Sequence, residues 1–278
     1  MTATPTLVDF EQIIEALAKD PRIAPDSPDW ILDNIAAGGD KLRVLRYVLK
    51  NTPNGSAPKL LDVGAQIGAL ALFAASFGCR ASAVDYRAFA NKYGKIAADR
   101  GVDYRECDVG TQPLPFAENS FEFATYTDVI EHHSFSPKRV LREIHRVLAP
   151  GGRLIITTPN HASIYNRVLL LLGNTVNDNF EQYFEASADS DVYHGHHREY
   201  TRTELSAALE RTGFKVRECR IVEEPLGPLL YYFFRRRRRP VSGSRVRNIL
   251  VRTLGRIWEP LRLPFGRQIW AVGEKEHQ

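Results

Sequence analysis

From residue 59 onward, short apolar runs alternate with stretches whose apolar positions recur every three or four residues. The first kind of segment reads as strand and the second as helix, and their alternation predicts a parallel sheet covered by helices. The strands are expected over Lys59–Val63, Ala81–Asp85, Asp103–Cys107, Phe121–Thr127, Arg153–Thr158, Phe214–Val222 and Gln268–Gly273. Helical patterns cover Gly68–Phe77, Phe89–Asp99 and Pro137–Leu148, with Pro150, Gly151 and Gly152 ending the last of these. That helix opens on a proline suited to a first turn, and Val140, Leu141, Ile144, Val147 and Leu148 share one of its faces. A further helix begins at Thr201, where Thr201 or Thr203 can cap it, Glu204 completes a capping box and Gly213 closes the end. Three stretches stand outside the series: an N-terminal helical cap over 1–58, and lid insertions over 160–200 and 225–267. They surround a core over 59–160, and 1–278 reads as one domain.

Composition narrows the class without naming a function. The 278 residues are 44% hydrophobic and 25% charged, which suits a globular chain and excludes disorder, collagen and coiled coil. Cys79, Cys107 and Cys219 are too few and too scattered for a disulfide framework or a structural zinc site, so a reducing, cytoplasmic setting is expected. The N-terminus has no secretory pattern, and no apolar run reaches the roughly 20 residues needed to span a bilayer. The net charge of +4 hides an asymmetry: from Lys215 onward there are 15 Lys and Arg against 6 Asp and Glu, leaving 22 against 27 in the rest. Polyanionic partners therefore concern the last quarter of the chain alone.

The chemistry starts at Lys59-Leu-Leu-Asp-Val-Gly-Ala-Gln-Ile-Gly68, where glycines stand at a strand-to-helix turn. Such a turn lets a ligand approach the backbone. A dinucleotide fingerprint from Gly64 would need glycine at 66 and 69, where Gln66 and Ala69 stand, and no Gly-Lys-Ser or Gly-Lys-Thr follows to make a P-loop. The pattern that remains is Asp62-x-Gly64-x-x-x-Gly68, then Asp85 at the end of the next strand and Asp108 after the third. Together with Leu114-Pro-Phe116, Ser120-Phe-Glu122, Glu131-His132 and Arg146-Val-Leu-Ala-Pro-Gly-Gly-Arg153, this series resembles the class I S-adenosylmethionine-dependent methyltransferases, in their small-molecule branch (type 11/23-like).

The resemblance covers roughly residues 58–160, with a weaker echo at His197–Leu205 and Gly213-Phe214. It implies an α/β, Rossmann-like, doubly wound seven-stranded sheet whose seventh strand is antiparallel, with helical lid insertions. It also implies a cofactor site: Gly64 and Ala65 let the backbone pass the methionine part, Asp62 holds its amino group, and Asp85 accepts from the ribose hydroxyls. Tyr86 would pack on the adenine, Asp108 would meet the adenine amino group with Val109 beside it, and Thr127 would offer main-chain contacts. Gly68 closes the loop. The chain departs from the pattern at Gln66, where the family has a second glycine; a side chain there either crowds the cofactor or reaches its carboxylate.

Methyl transfer is an in-line displacement, so the protein supplies proximity, alignment and, for a hydroxyl acceptor, a base. Two histidine clusters offer one: His132 and His133 after the fourth strand, and His194, His196 and His197 at the end of the 160–200 insertion. His132 and His197 are the catalytic candidates. Asp128, Glu131 and His132 are spaced i, i+3, i+4 and would share a face if helical, resembling the divalent-cation set of quinone O-methyltransferases. The competing reading is that they only order a loop.

Leu226–Phe234 is rich in Leu, Tyr and Phe and runs into Arg235–Arg239, and an amphipathic arginine-bearing pattern continues to about residue 262. Apolar and aromatic residues beside arginines suit an anionic membrane surface, which would put the protein at a membrane's inner face, or else a solvated lid. A nucleic-acid partner ranks last, since one arginine block lacks the fold cues of a reader. The expected reaction is methylation of an oxygen on a small-molecule, glycan or lipid-linked acceptor. The alternatives are N- or C-methylation and a non-catalytic, methyltransferase-like membrane or scaffold protein. An Asn-Pro-Pro-Tyr-like motif is absent after the fourth strand, which disfavours amino-group methylation of nucleic acid.

Overall fold

The computed structural model describes residues 4–22, 38–53, 55–177, 184, 195–222 and 266–277. The basic and aromatic stretch at 226–262 lies outside the described residues, as do His194 and nearly all of the predicted 225–267 insertion. Among the described residues, no helix is long and apolar enough to cross a membrane.

Seven strands form one sheet: β1 (Lys59–Val63), β2 (Arg80–Asp85), β3 (Asp103–Glu106), β4 (Phe121–Thr127), β5 (Leu148–Pro159), β6 (Phe214–Val222) and β7 (Gln268–Lys275). Their spatial order is β3-β2-β1-β4-β5-β7-β6. β7 lies antiparallel between β5 and β6, and every other pair is parallel, as the resemblance implied. β6 ends at Val222 and β7 begins at Gln268, and these two residues are partners in the antiparallel pair. The helices are α1 (Leu7–Ala18), α2 (Gly38–Lys50), α3 (Ala69–Ser76), α4 (Arg87–Ala98), α5 (Lys138–Val147), α6 (Ile164–Leu171) and α7 (Arg202–Glu210). Central parallel strands are covered on both faces and so carry continuous apolar runs, as in Leu60-Leu61-Asp62-Val63, all of them buried.

Burial divides into two layers, one on each side of the sheet. On one side α1 and α2 insert Phe10, Ile14, Leu17, Val44, Leu45 and Val48 against α3, with Phe10 and Phe73 meeting edge to face at 5.2 Å. On the other, α5 buries Val140, Leu141, Ile144 and Val147, the apolar stripe legible in the sequence. The capping box of α7 forms as expected: Thr201 Oγ1 accepts from the Glu204 amide, and the Thr201 amide donates to the Glu204 carboxylate.

Among the boundaries that differ from the sequence reading, two have a local cause. α4 starts at Arg87, two residues early, because Tyr86 at its N-cap is already extended. β5 begins at Leu148, where the helix was expected to end, and runs on through the Pro150-Gly151-Gly152 stretch read as a turn. Leu148 pairs with Phe121, and the register then slips so that Phe123 meets Arg153. Gly151 absorbs that bulge at φ 76°, and a Cβ on Gly152 would lie 2.7 Å from the Ala149 carbonyl. Pro-Gly-Gly therefore bends a strand here.

Candidate active site

The strand order reverses between β1 and β4, and in open α/β sheets the crevice beyond the carboxyl ends of the strands at such a point binds ligands. A two-lobed trough lies there. Its smaller lobe, about 140 Å³, is walled by Asp62, Ala65, Thr127 and, from the N-terminal helices, Phe10 and Lys41. The larger lobe, about 430 Å³, is walled by Asp85, Tyr86, Phe89, Asp108 and Val109, and, from the turn after β4, by His132, His133 and Phe135. Gly64, Gln66 and Asp128 border both lobes.

The loop that separates the lobes is held by main-chain bonds. Gly64 sits at φ 74°, and a Cβ there would come within 2.6 Å of the Val129 side chain. Left-handed backbone and a close neighbour both demand glycine at this position. Gln66 also adopts left-handed backbone, at φ 48°. Its amide donates to Asp85 Oδ2 at 2.7 Å, and its carbonyl accepts from the Tyr104 hydroxyl at 2.6 Å. Two hydrogen bonds thus hold a conformation that costs a non-glycine residue roughly 1–2 kcal/mol. Gly68 follows at φ 74° as the N-cap of α3.

The acids differ in their surroundings. Asp62 is 3% exposed, and burial lifts its carboxyl to about 6, against the lowering effects of Lys41 and of the 2.8 Å hydrogen bond from Thr125 Oγ1. Lys41 Nζ donates to Thr127 Oγ1 at 3.0 Å, so a cation and a buried carboxyl share one lobe. Asp85 is raised by burial and lowered by two amides, those of Gln66 and Tyr86, one on each carboxylate oxygen. Asp108 is exposed and holds its own turn, accepting from the Gly110 amide and from Thr111 Oγ1. Tyr86 is half exposed, with its ring edge to face against Phe89 at 5.0 Å.

Beyond β4 the expected helical face does not form. Asp128 is left-handed at φ 55°, and only Ile130–His132 makes a single 3-10 turn. The Asp128 carboxylate is turned toward the sheet, where its Oδ1 accepts from Thr157 Oγ1 at 3.2 Å and from Gln268 Nε2 at 3.1 Å. The set expected from spacing, Asp128 with Glu131 and His132, is therefore not brought together. Glu131 and His132 meet His196 instead. Glu131 is 1% exposed, and burial, with Asp128 adding to it, raises its carboxyl to about 7. Its carbonyl accepts from the His197 and Arg198 amides at 2.8 and 3.2 Å, which ties residues 195–199 to this turn. His197 joins through its backbone, and its side chain is exposed. His133 hydrogen-bonds the Tyr126 hydroxyl, and burial drops its imidazole to about 4, so it stands neutral on the trough wall.

Sequence reasoning missed Lys41, Phe10 and Phe89 as wall residues. For Lys41 a signal existed: a lysine next to Leu42, on a helix whose Val44, Leu45 and Val48 are all buried.

A methyltransferase-domain family model matches residues 38–219, and the chain belongs to this family of S-adenosylmethionine-dependent methyltransferases. Among similar curated proteins is the ubiquinone/menaquinone biosynthesis C-methyltransferase UbiE of Desulfotalea psychrophila, 30% identical over 134 residues, covering 46% of this chain and 53% of the relative. Sarcosine/dimethylglycine N-methyltransferase of Halorhodospira halochloris is 32% identical over 107 residues, covering 37% and 38%. The chain spans about half the length or less of such relatives. Among solved structures, an S-adenosylmethionine-dependent methyltransferase from Mesorhizobium loti shares the fold at TM-score 0.52 and 17% identity, covering 84% of this chain and 97% of that one.

Proposed function

We propose that the protein transfers a methyl group from S-adenosylmethionine to a hydroxyl oxygen of a small acceptor. The observation that carries this reading is the pair of adjoining lobes, one with Asp62 and Lys41 for an amino acid and one with Asp85, Tyr86, Phe89, Asp108 and Val109 for a nucleoside, the second also walled by His132 and His133. Asp62 and Lys41 suit the amino and carboxylate groups of the methionine part. The Asp85 carboxylate, which retains lone pairs after its two amide bonds, suits a vicinal diol. Tyr86, Phe89, Asp108 and Val109 suit the adenine, and the glycine at 64 lets the backbone approach.

When bound, S-adenosylmethionine supplies an electrophilic methyl group; its transfer to oxygen breaks the carbon–sulfur bond and frees the hydroxyl proton. His132, on the wall of the larger lobe, takes that proton. His133 is held neutral by burial and bonded to Tyr126, and it shapes the wall. Oxygen is favoured because imidazoles wall the larger lobe, and hydroxyl acceptors need a base more than amines do. Methylation of carbon is the second reading, favoured by the naming of the UbiE relative as a C-methyltransferase. An acceptor linked to a lipid or glycan is a narrower form of the proposal.

Incubation with methyl-labelled cofactor and three acceptors, a catechol or quinol, a glycine-type amine and a lipid-linked glycan, tests the reading by mass spectrometry of the products. Label in an ether oxygen is the expected result. Label on carbon would establish the second reading, and label on nitrogen would overturn both.

A further inference from the structure

The turn after β4 carries an arrangement in which His132 would hold an ion in place of taking the acceptor's proton itself. One carboxylate oxygen of Glu131 and one ring nitrogen each of His132 and His196 lie within 4.8 Å of one another. The two rings meet edge to face with centroids 4.8 Å apart. Each of the three side chains is also oriented from behind. His132 Nδ1 lies 3.2 Å from the Gly195 carbonyl, and His196 Nδ1 lies 3.3 Å from Glu199 Oε1. Both of those partners can accept from an Nδ1 proton, the arrangement that leaves a neutral ring's lone pair on Nε2. Glu131 Oε2 accepts from Thr158 Oγ1 at 2.9 Å. Glu199 is held in turn by Asn166 Nδ2 at 3.2 Å.

A backbone carbonyl behind one imidazole and a carboxylate behind the other are the outer contacts that fix the tautomer and aim of metal-binding histidines. A carboxylate 1% exposed also calls for compensation, and among the described residues no lysine or arginine bridges it. The donor set then decides the ion. Two imidazoles and one carboxylate suit zinc and related transition metals, whereas magnesium and calcium prefer oxygen ligands. Ligand bonds of about 2.1 Å to a tetrahedral ion leave donors roughly 3.4 Å apart, so the trio need close by about an ångström. Asp128, bonded to Thr157 and Gln268, is not part of it.

We propose that Glu131, His132 and His196 form a three-ligand site for a divalent transition-metal ion of the zinc class, with the remaining position open to the lobe that His132 lines. Three protein ligands and one open position make a site that can bind and polarise a small oxygen ligand.

The test uses full-length, tag-free protein treated with chelator and titrated with Zn²⁺ by calorimetry and with Co²⁺ by visible absorption, without cofactor. One equivalent should bind, with the intense cobalt bands of a low-coordinate site, and excess Mg²⁺ should not compete. His196→Ala and His132→Ala should each weaken binding by at least about tenfold, and Glu199→Gln by about tenfold. Asp128→Asn should change it by less than about threefold. Circular dichroism melts establish that each variant is folded. Absence of stoichiometric binding by the wild type would overturn the proposal, as would wild-type affinity in His196→Ala or an equal loss in Asp128→Asn.

Discussion

The two ends of the trough are built by opposite means. The cofactor end gathers the carboxyl ends of β1, β2 and β4 and the loop after β3, so Asp62, Asp85, Thr127 and Asp108 converge because adjacent parallel strands end together. The far end joins a three-residue turn after β4 to residues 195–199, more than sixty positions later, through main-chain bonds to the Glu131 carbonyl. A strand-end site follows from the sheet itself. A site assembled across an insertion depends on how that insertion packs, and its residues carry no local pattern.

The sharpest way to break the cofactor end is Asp85→Ala. It removes the acceptor for a diol and also for the Gln66 and Tyr86 amides, so S-adenosylhomocysteine affinity should fall roughly 100-fold or more while the Glu131, His132 and His196 cluster keeps its metal affinity. Calorimetry reads both. Gly64→Ala comes next. The added methyl meets Val129 in left-handed backbone, and thermal unfolding should show a loss of about 2–4 kcal/mol.

Lys41→Met should weaken S-adenosylhomocysteine binding by about 10- to 100-fold and leave a decarboxylated analogue nearly unaffected. That contrast would show whether α2 belongs to the cofactor end.

A pH series separates the ends in another way. The Asp62 carboxyl is raised from its ordinary value near 3.8 to about 6, so protonation favours the folded state. Its contribution to the stability of the unliganded protein is therefore complete below the ordinary value and is lost as pH rises toward 6. Binding of the cationic amino group runs the other way: affinity should climb about tenfold per unit up to pH 6 and then level off. Asp62→Asn should flatten that portion of both curves. The smallest effect belongs to Gln66→Gly. The backbone bonds to Asp85 and Tyr104 survive, so stability should change by no more than about 1 kcal/mol and affinity by about threefold or less.

The same contrast explains what the sequence revealed. Strand ends at Asp62, Asp85 and Thr127 were legible because apolar runs stop there and the acids follow at fixed offsets. The α5 stripe and the Thr201–Glu204 capping box were legible because both are local. Asp128 was misjudged because i, i+3, i+4 spacing assumes a helix, and the chain takes a left-handed residue and one 3-10 turn instead. His196 could not be singled out from His194 and His197 by position alone. What selects it is the pair of amides, His197 and Arg198, bonded to the Glu131 carbonyl. Lys41 was hidden by distance, since 86 positions separate it from Thr127, whose hydroxyl it meets.

The account rests on the trough being a cofactor site, and equilibrium titration of the wild-type chain with S-adenosylhomocysteine tests that most directly. Saturable binding of one equivalent is the predicted result; no binding up to about 1 mM ligand would contradict it.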